Sequence, residues 1–96
     1  MVEHVVIFRT KTDADKAAVL AGAKRLEEIG TAEDFVCGTP IPSLRPVVDD
    51  TFACAIAVKM KEENVDAYMN HPIHLDFNEN CLKRLAVKVQ VFDIKF

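Results

Sequence analysis

The chain has no tryptophan, a single tyrosine and no C-x-x-C pair. Its three cysteines, Cys37, Cys54 and Cys81, are odd in number and widely spaced. That spacing argues against a structural zinc site or a dithiol redox motif. It predicts buried, reduced thiols in a cytoplasmic protein, with no bound metal. No run of like charge occurs, and 12 Lys and Arg stand against 15 Asp and Glu for a formal net charge of −3. Nucleic-acid binding needs a basic face, and the nearest approach to one is Lys83, Arg84 and Lys88, so no nucleic-acid partner is expected. The longest uncharged apolar stretch, Phe52 to Val58, is far short of the roughly 20 residues that span a bilayer, so no membrane partner is expected. The opening Met1-Val2-Glu3-His4 has neither the basic region nor the small-residue cleavage site of a secretory signal. Repeats and low-complexity segments are also missing, and 96 residues make one domain, 1–96.

What is present is apolar surface. Half of the residues are hydrophobic, in a chain too short to have a large interior. With 28% charged residues and abundant Val, Ile, Leu and Phe, the sequence is that of a folded domain.

Val2 to Phe8 reads as a first strand, with Val2, His4, Val6 and Phe8 on one face and Glu3, Val5, Ile7 and Arg9 on the other. Thr12 to Gly30 reads as an amphipathic helix. Thr12 is its N-cap, Asp13 and Asp15 lie in its first turn, and Gly30 is a left-handed C-cap. Its buried stripe is Ala18, Val19, Gly22, Ala23, Leu26 and Ile29. Phe35 to Thr39 is a short strand. Three prolines within Pro40–Pro46 then rule out helix or central strand and predict a long loop to Asp50. Thr51 to Met60 is a third strand, with Phe52, Cys54, Ile56, Val58 and Met60 on a bulky face and Ala53, Ala55 and Ala57 on a smooth one. Glu62 to Asn70 is a second helix carrying Val65, Tyr68 and Met69. His71-Pro72 stops it, and Pro72 opens a further helix with Ile73, Phe77 and Cys81 every four residues. Ala86 to Phe96 is a fourth strand whose apolar phase flips between Val91 and Phe92, which predicts a bulge or a change of partner there.

Strand, helix, strand, strand, helix, strand is the order of an α+β ferredoxin-like βαββαβ plait. It gives a four-stranded antiparallel sheet with the helices on one face. The other face would then carry Val5, Ile7 and the alanine row. An apolar sheet face of that size marks an interaction surface, and pairing two copies about a twofold axis would cover it.

Four segments carry a resemblance: His4-Val5-Val6-Ile7-Phe8-Arg9, Asp49-Asp50-Thr51-Phe52, Ala67-Tyr68-Met69-Asn70-His71-Pro72-Ile73-His74, and Val89-Gln90-Val91-Phe92-Asp93. In this order, over nearly the whole length, the chain resembles the stress-responsive A/B barrel (Dabb) family of dimeric α+β barrels. The third segment matches its Y-x-x-H-P-x-H pattern. The resemblance implies a homodimer whose sheets form a barrel with helices outside. Within the family, the chain is similar to the olivetolic acid cyclases, which close a polyketide by an aldol-type condensation without a redox cofactor. That likeness implies His74 and Tyr68 as a catalytic pair and His4 in the cavity, with no cofactor. A third-strand cavity histidine of those enzymes falls near Cys54, so this chain lacks one lining polar group.

The residues permit that chemistry. A histidine of near-neutral pKa can remove a proton next to a carbonyl, and a tyrosine hydroxyl can hydrogen-bond the enolate oxygen. A pocket lined by His4, Val6, Phe8, Cys54, Ile56, Val58 and His71 would take a small apolar or carbonyl-containing ligand. Each polar member has a packing explanation too. His71 would link and cap helices, His4 and His74 would be hydrogen-bonded core histidines, and Tyr68 would sit on an amphipathic stripe. Three readings stay open: a small-molecule-binding dimer, a cofactor-independent cyclase or lyase, and a monooxygenase of the dimeric α+β barrel type. For the last, the missing tryptophan removes a residue often placed beside reactive aromatic substrates.

Overall fold

A computed structural model describes residues 1–96. Its elements are β1 (Val2–Thr10), α1 (Asp13–Lys24), β2 (Asp34–Gly38), β3 (Cys54–Met60), α2 (Val65–Met69), α3 (Pro72–Phe77), α4 (Lys83–Leu85) and β4 (Ala86–Lys95). The strands form one antiparallel sheet in the order β2-β3-β1-β4, which is the ferredoxin-like arrangement. All helices cover one face. No helix is long and apolar enough to cross a membrane.

Strand periodicity decides what is buried. Val2, His4, Val6 and Phe8 of β1 and Cys54, Ile56, Val58 and Met60 of β3 face the helices and are buried. Val19, Ala23, Leu26 and Ile29 pack on them from α1 and the turn that follows it, with Tyr68 and Phe77 beside them. Ala18, expected in the stripe, is exposed. Gly22 permits a close approach, because a Cβ there would meet the Phe77 ring at 3.0 Å and Cys81 Sγ at 3.2 Å. The opposite face carries Val5, Ile7, Ala55 and Ala57, all half-buried, and Val36, Phe92 and Ile94, which are exposed.

Several expected boundaries move. Thr12 caps α1 as expected, its hydroxyl accepting from Asp15 N at 3.1 Å. The helix does not end on a left-handed Gly30, since no glycine has positive φ. It tightens instead into a 3₁₀ turn, Arg25–Glu28, and leaves through an extended Ile29. This keeps Leu26 and Ile29 in the core without the reversal that a left-handed cap would impose. β3 starts at Cys54, so Phe52 and Ala53 lie outside the strand, although Ala53 N still donates to Phe8 O at 2.8 Å. The second helix opens as a 3₁₀ turn, Glu62–Asn64, before α2. Pro72 starts α3 at its first position. A π turn, Asn78–Leu82, joins α3 to α4.

The bulge expected between Val91 and Phe92 is not there. β4 pairs with β1 without interruption from Phe8–Val89 to Val2–Lys95, and the register shifts at Arg9/Thr10 instead. The apolar phase changes for another reason. Val89 and Val91 stand opposite Phe8 and Val6 on the helix face, whereas Phe92 and Ile94 stand opposite Val5 and Glu3 on the open face. A straight strand serves a different layer with each half.

Candidate functional site

The strand register and the His-Pro break bring three rings together. Tyr68, fully buried on α2, packs edge-on against His4 with ring centroids 5.9 Å apart and against His74 at 5.1 Å. His4 and His74 are the buried polar residues of the chain, at 5% and 6% exposure. His4 comes from β1 and His74 from α3.

Both imidazoles are held by a polar neighbour. His4 Nδ1 lies 2.5 Å from Asp93 Oδ1, and a carboxylate there accepts the Nδ1 proton. In neutral His4 the lone pair is then on Nε2. Asn78 Nδ2 lies 3.2 Å from His74 Nδ1. Burial, reinforced by nearby His4 and opposed by His74's own backbone, holds the His74 pKa below its ordinary value. A neutral His74 that accepts from Asn78 at Nδ1 carries its proton on Nε2. The pair thus combines one imidazole with a free lone pair and one with a free N–H. Burial also pushes the Tyr68 hydroxyl up to about 12, so it is a donor and not a phenolate at neutral pH. That hydroxyl is buried with no hydrogen-bond partner, an exception to the usual pairing of interior polar groups.

Beside these rings is a cleft of about 90 Å³ whose wall includes His4, Val6, Phe8, Ile56 and His74. Leu26, Met69, Phe77, Asn78 and Leu82 complete the inner wall, and half-exposed Val89 and Val91 form the outer lip. Three expected pocket residues are elsewhere. Cys54 and Val58 are fully buried in the core and do not line the cleft, although they stand opposite Phe8 and His4, which do. His71 serves as the N-cap of α3, its Nδ1 accepting from Ile73 N at 3.1 Å. Tyr68 is not on the wall itself, but its ring packs edge-on against both histidines that are. A larger groove of about 260 Å³ runs outside the helices along Gly22, Ile73 and Cys81, with no histidine or tyrosine on its wall.

Sequence reasoning missed Asp93 and Asn78. Asn78 stands four residues after His74 on one helical run, a spacing that signals contact. Asp93 reads as a surface strand residue until the β1–β4 register pairs it with His4. No group of three or more His, Cys, Asp or Glu side chains is arranged to hold a metal ion. Desolvation raises Cys37 and Cys81 and takes Cys54 to about 11, so the thiols stay protonated and are weak nucleophiles at neutral pH.

The His74 shift has a pH consequence. Its folded pKa lies below the unfolded value, so the unfolded chain binds more protons in the window between them. Its contribution is intact above about pH 6.5, the unfolded value, and is lost as pH falls through the folded value. Urea midpoints should therefore fall between pH 7 and pH 5, and His74→Gln should flatten the profile. An unchanged slope in that variant would refute the assignment.

The family model of the stress-responsive A/B barrel domain matches residues 2–96. The chain belongs to this family. Among curated proteins, none matches the sequence significantly. Solved structures resemble this A/B barrel domain closely in fold. A Dabb family protein with a ferredoxin-like fold from Mesorhizobium loti is 19% identical, with a TM-score of 0.79, over 99% of this chain and 95% of that one. A dimeric ferredoxin-like protein of unknown function from Jannaschia is 14% identical, with a TM-score of 0.79, over 99% and 98%. A hydroxynitrile lyase from Passiflora edulis is 21% identical, with a TM-score of 0.72, over 97% and 90%.

Proposed function

We propose that the chain acts as a homodimer joined through its open sheet faces, and that each cleft binds a small, mostly apolar molecule bearing a carbonyl group. The observation that carries the ligand reading is the Tyr68 hydroxyl, buried and unpartnered, on a ring packed against two imidazoles of a mostly apolar wall. An apolar lining with a few convergent polar groups is the usual composition of a small-molecule site. A cavity of about 150 Å³ takes up benzene, so a cleft of about 90 Å³ admits a smaller group, or the end of a longer molecule emerging past Val89 and Val91. The dimer reading rests on the apolar open face and agrees with the Jannaschia relative, which is described as dimeric.

A second reading, turnover, is favoured by the complementary histidines. His4, oriented by Asp93, would act as base, and His74 Nε2–H with the Tyr68 hydroxyl would hydrogen-bond the developing oxyanion. Such a site fits a cofactor-independent lyase or a cyclase of the olivetolic acid cyclase kind. The Passiflora relative is a hydroxynitrile lyase.

A series of short methyl ketones titrated into the protein in D₂O separates the readings. Saturable NMR shifts at cleft residues are expected. Catalysed deuterium exchange next to the carbonyl, slowed at least 100-fold by Asp93→Asn, supports turnover. Binding without exchange supports a binding protein. No saturable shift for any member of the series would refute the carbonyl-ligand reading.

A further inference from the structure

The segment between β2 and β3 leaves three large apolar side chains in solvent: Ile41 is 82% exposed, Leu44 103% and Val47 90%. This is not a slack loop. Three prolines restrict its backbone, and a chain of polar contacts fixes its shape. Ser43 N donates to Asp50 Oδ2 at 2.9 Å, and Arg45 N to Ser43 Oγ at 3.1 Å. Val48 N donates to Arg45 O at 3.0 Å.

Its far end is tied to the open face of the sheet. Arg9 follows Ile7 on that face. Its guanidinium donates to Asp49 Oδ2 at 2.7 Å, to Thr51 Oγ1 at 2.8 Å and to Gln90 Oε1 at 3.2 Å. The Thr51 side-chain and backbone hydrogen bonds, and then Arg9, hold the Asp49 carboxyl down at about 2, so the clamp stays charged at any ordinary pH. An ordered segment holding Ile41, Leu44 and Val47 in water is organised for a partner.

Size points to which partner. With strands of 9, 5, 7 and 10 residues at spacings of about 4.8 Å and 3.3 Å, the open face has a flat footprint of roughly 500 Å². A standard stable interface buries about 800 Å² on each partner. Accessible surface exceeds flat area, so the sheet face approaches that size, and the loop that continues from its rim at Arg9 adds the apolar surface of Ile41, Leu44 and Val47.

We infer that the segment Pro40–Asp50 is an intersubunit arm. Clamped by Arg9 to its own sheet, it lays Ile41, Leu44 and Val47 on a second copy of the chain and extends the interface beyond the sheet faces. The inference rests on the dimer reading above. The double variant Leu44→Asp/Val47→Asp tests it, because both residues are exposed and neither is in the core. In sedimentation equilibrium, wild type should dimerise and the variant should show at least a tenfold higher dissociation constant, with unchanged circular dichroism. Leu44→Ala/Val47→Ala should fall between them. A dimeric wild type with an unweakened aspartate variant would overturn the arm and leave the sheet-face dimer standing. A wild type that is monomeric at micromolar concentration would overturn both. Should the aspartate variant lose its circular dichroism, the alanine pair decides, and an unweakened alanine dimer overturns the arm.

Discussion

Val36→Arg is expected to yield a folded monomer. Val36 stands opposite Ala57 in the sheet register, and Ala57 stands opposite Val5, so it lies within the open face. In the isolated protomer it is 66% exposed, and an arginine there extends into water at little cost to the fold. In a twofold dimer the substitution appears twice. Each unpaired guanidinium taken from water costs several kcal/mol. Two of them exceed about 5 kcal/mol, close to a ten-thousandfold loss of affinity. Sedimentation velocity gives the mass and circular dichroism the fold. A variant that still dimerises at micromolar concentration would place the interface elsewhere.

Tyr68→Phe is expected to separate stability from function. The hydroxyl is buried without a partner, and such a group costs about 1–3 kcal/mol in the folded state. Removing it should leave the urea midpoint unchanged or raise it, because the ring keeps its contacts with His4 and His74. A carbonyl ligand that accepts from this hydroxyl should bind 10- to 100-fold more weakly, matching the loss of one well-placed hydrogen bond of about 1.4–2.7 kcal/mol. Destabilisation by more than about 1 kcal/mol with unchanged ligand affinity would mean that Tyr68 is only a packing residue.

The strands were legible because alternation is a strong local signal. His4, Val6 and Phe8 on one face and Val5 and Ile7 on the other follow from the period of two alone. Helix ends were less so. Gly30 has the residue type of a left-handed cap, yet the chain tightens into 3₁₀ at Arg25–Glu28 because packing places Leu26 and Ile29 in the core. The β4 phase change is visible in the sequence, but neither the bulge nor the change of partner it predicts is found, since one strand cannot reveal which layers cover its two faces. Of the candidate site, His4, Tyr68 and His74 were legible through motif and spacing. Asp93 was not, because its contact with His4 spans 89 positions and exists only once the register is set. For His71 the sequence left both readings open, because a histidine before proline looks the same whether it caps a helix or lines a pocket, and the structure shows the cap.

The two-sided use of β4 couples the cleft to the sheet surface. Val91 forms part of the cleft lip, and its chain neighbour Phe92 belongs to the open face. β4 is an edge strand paired in the sheet with β1 alone, so it has fewer strand partners than β1 or β3. A guest that displaces Val89 and Val91 also moves the strand carrying Phe92 and Ile94, and a neighbour pressing on Phe92 moves the lip. Occupancy and self-association then share a free-energy term, and linkage makes it reciprocal. If a bound guest strengthens self-association by some factor, self-association strengthens guest binding by that same factor.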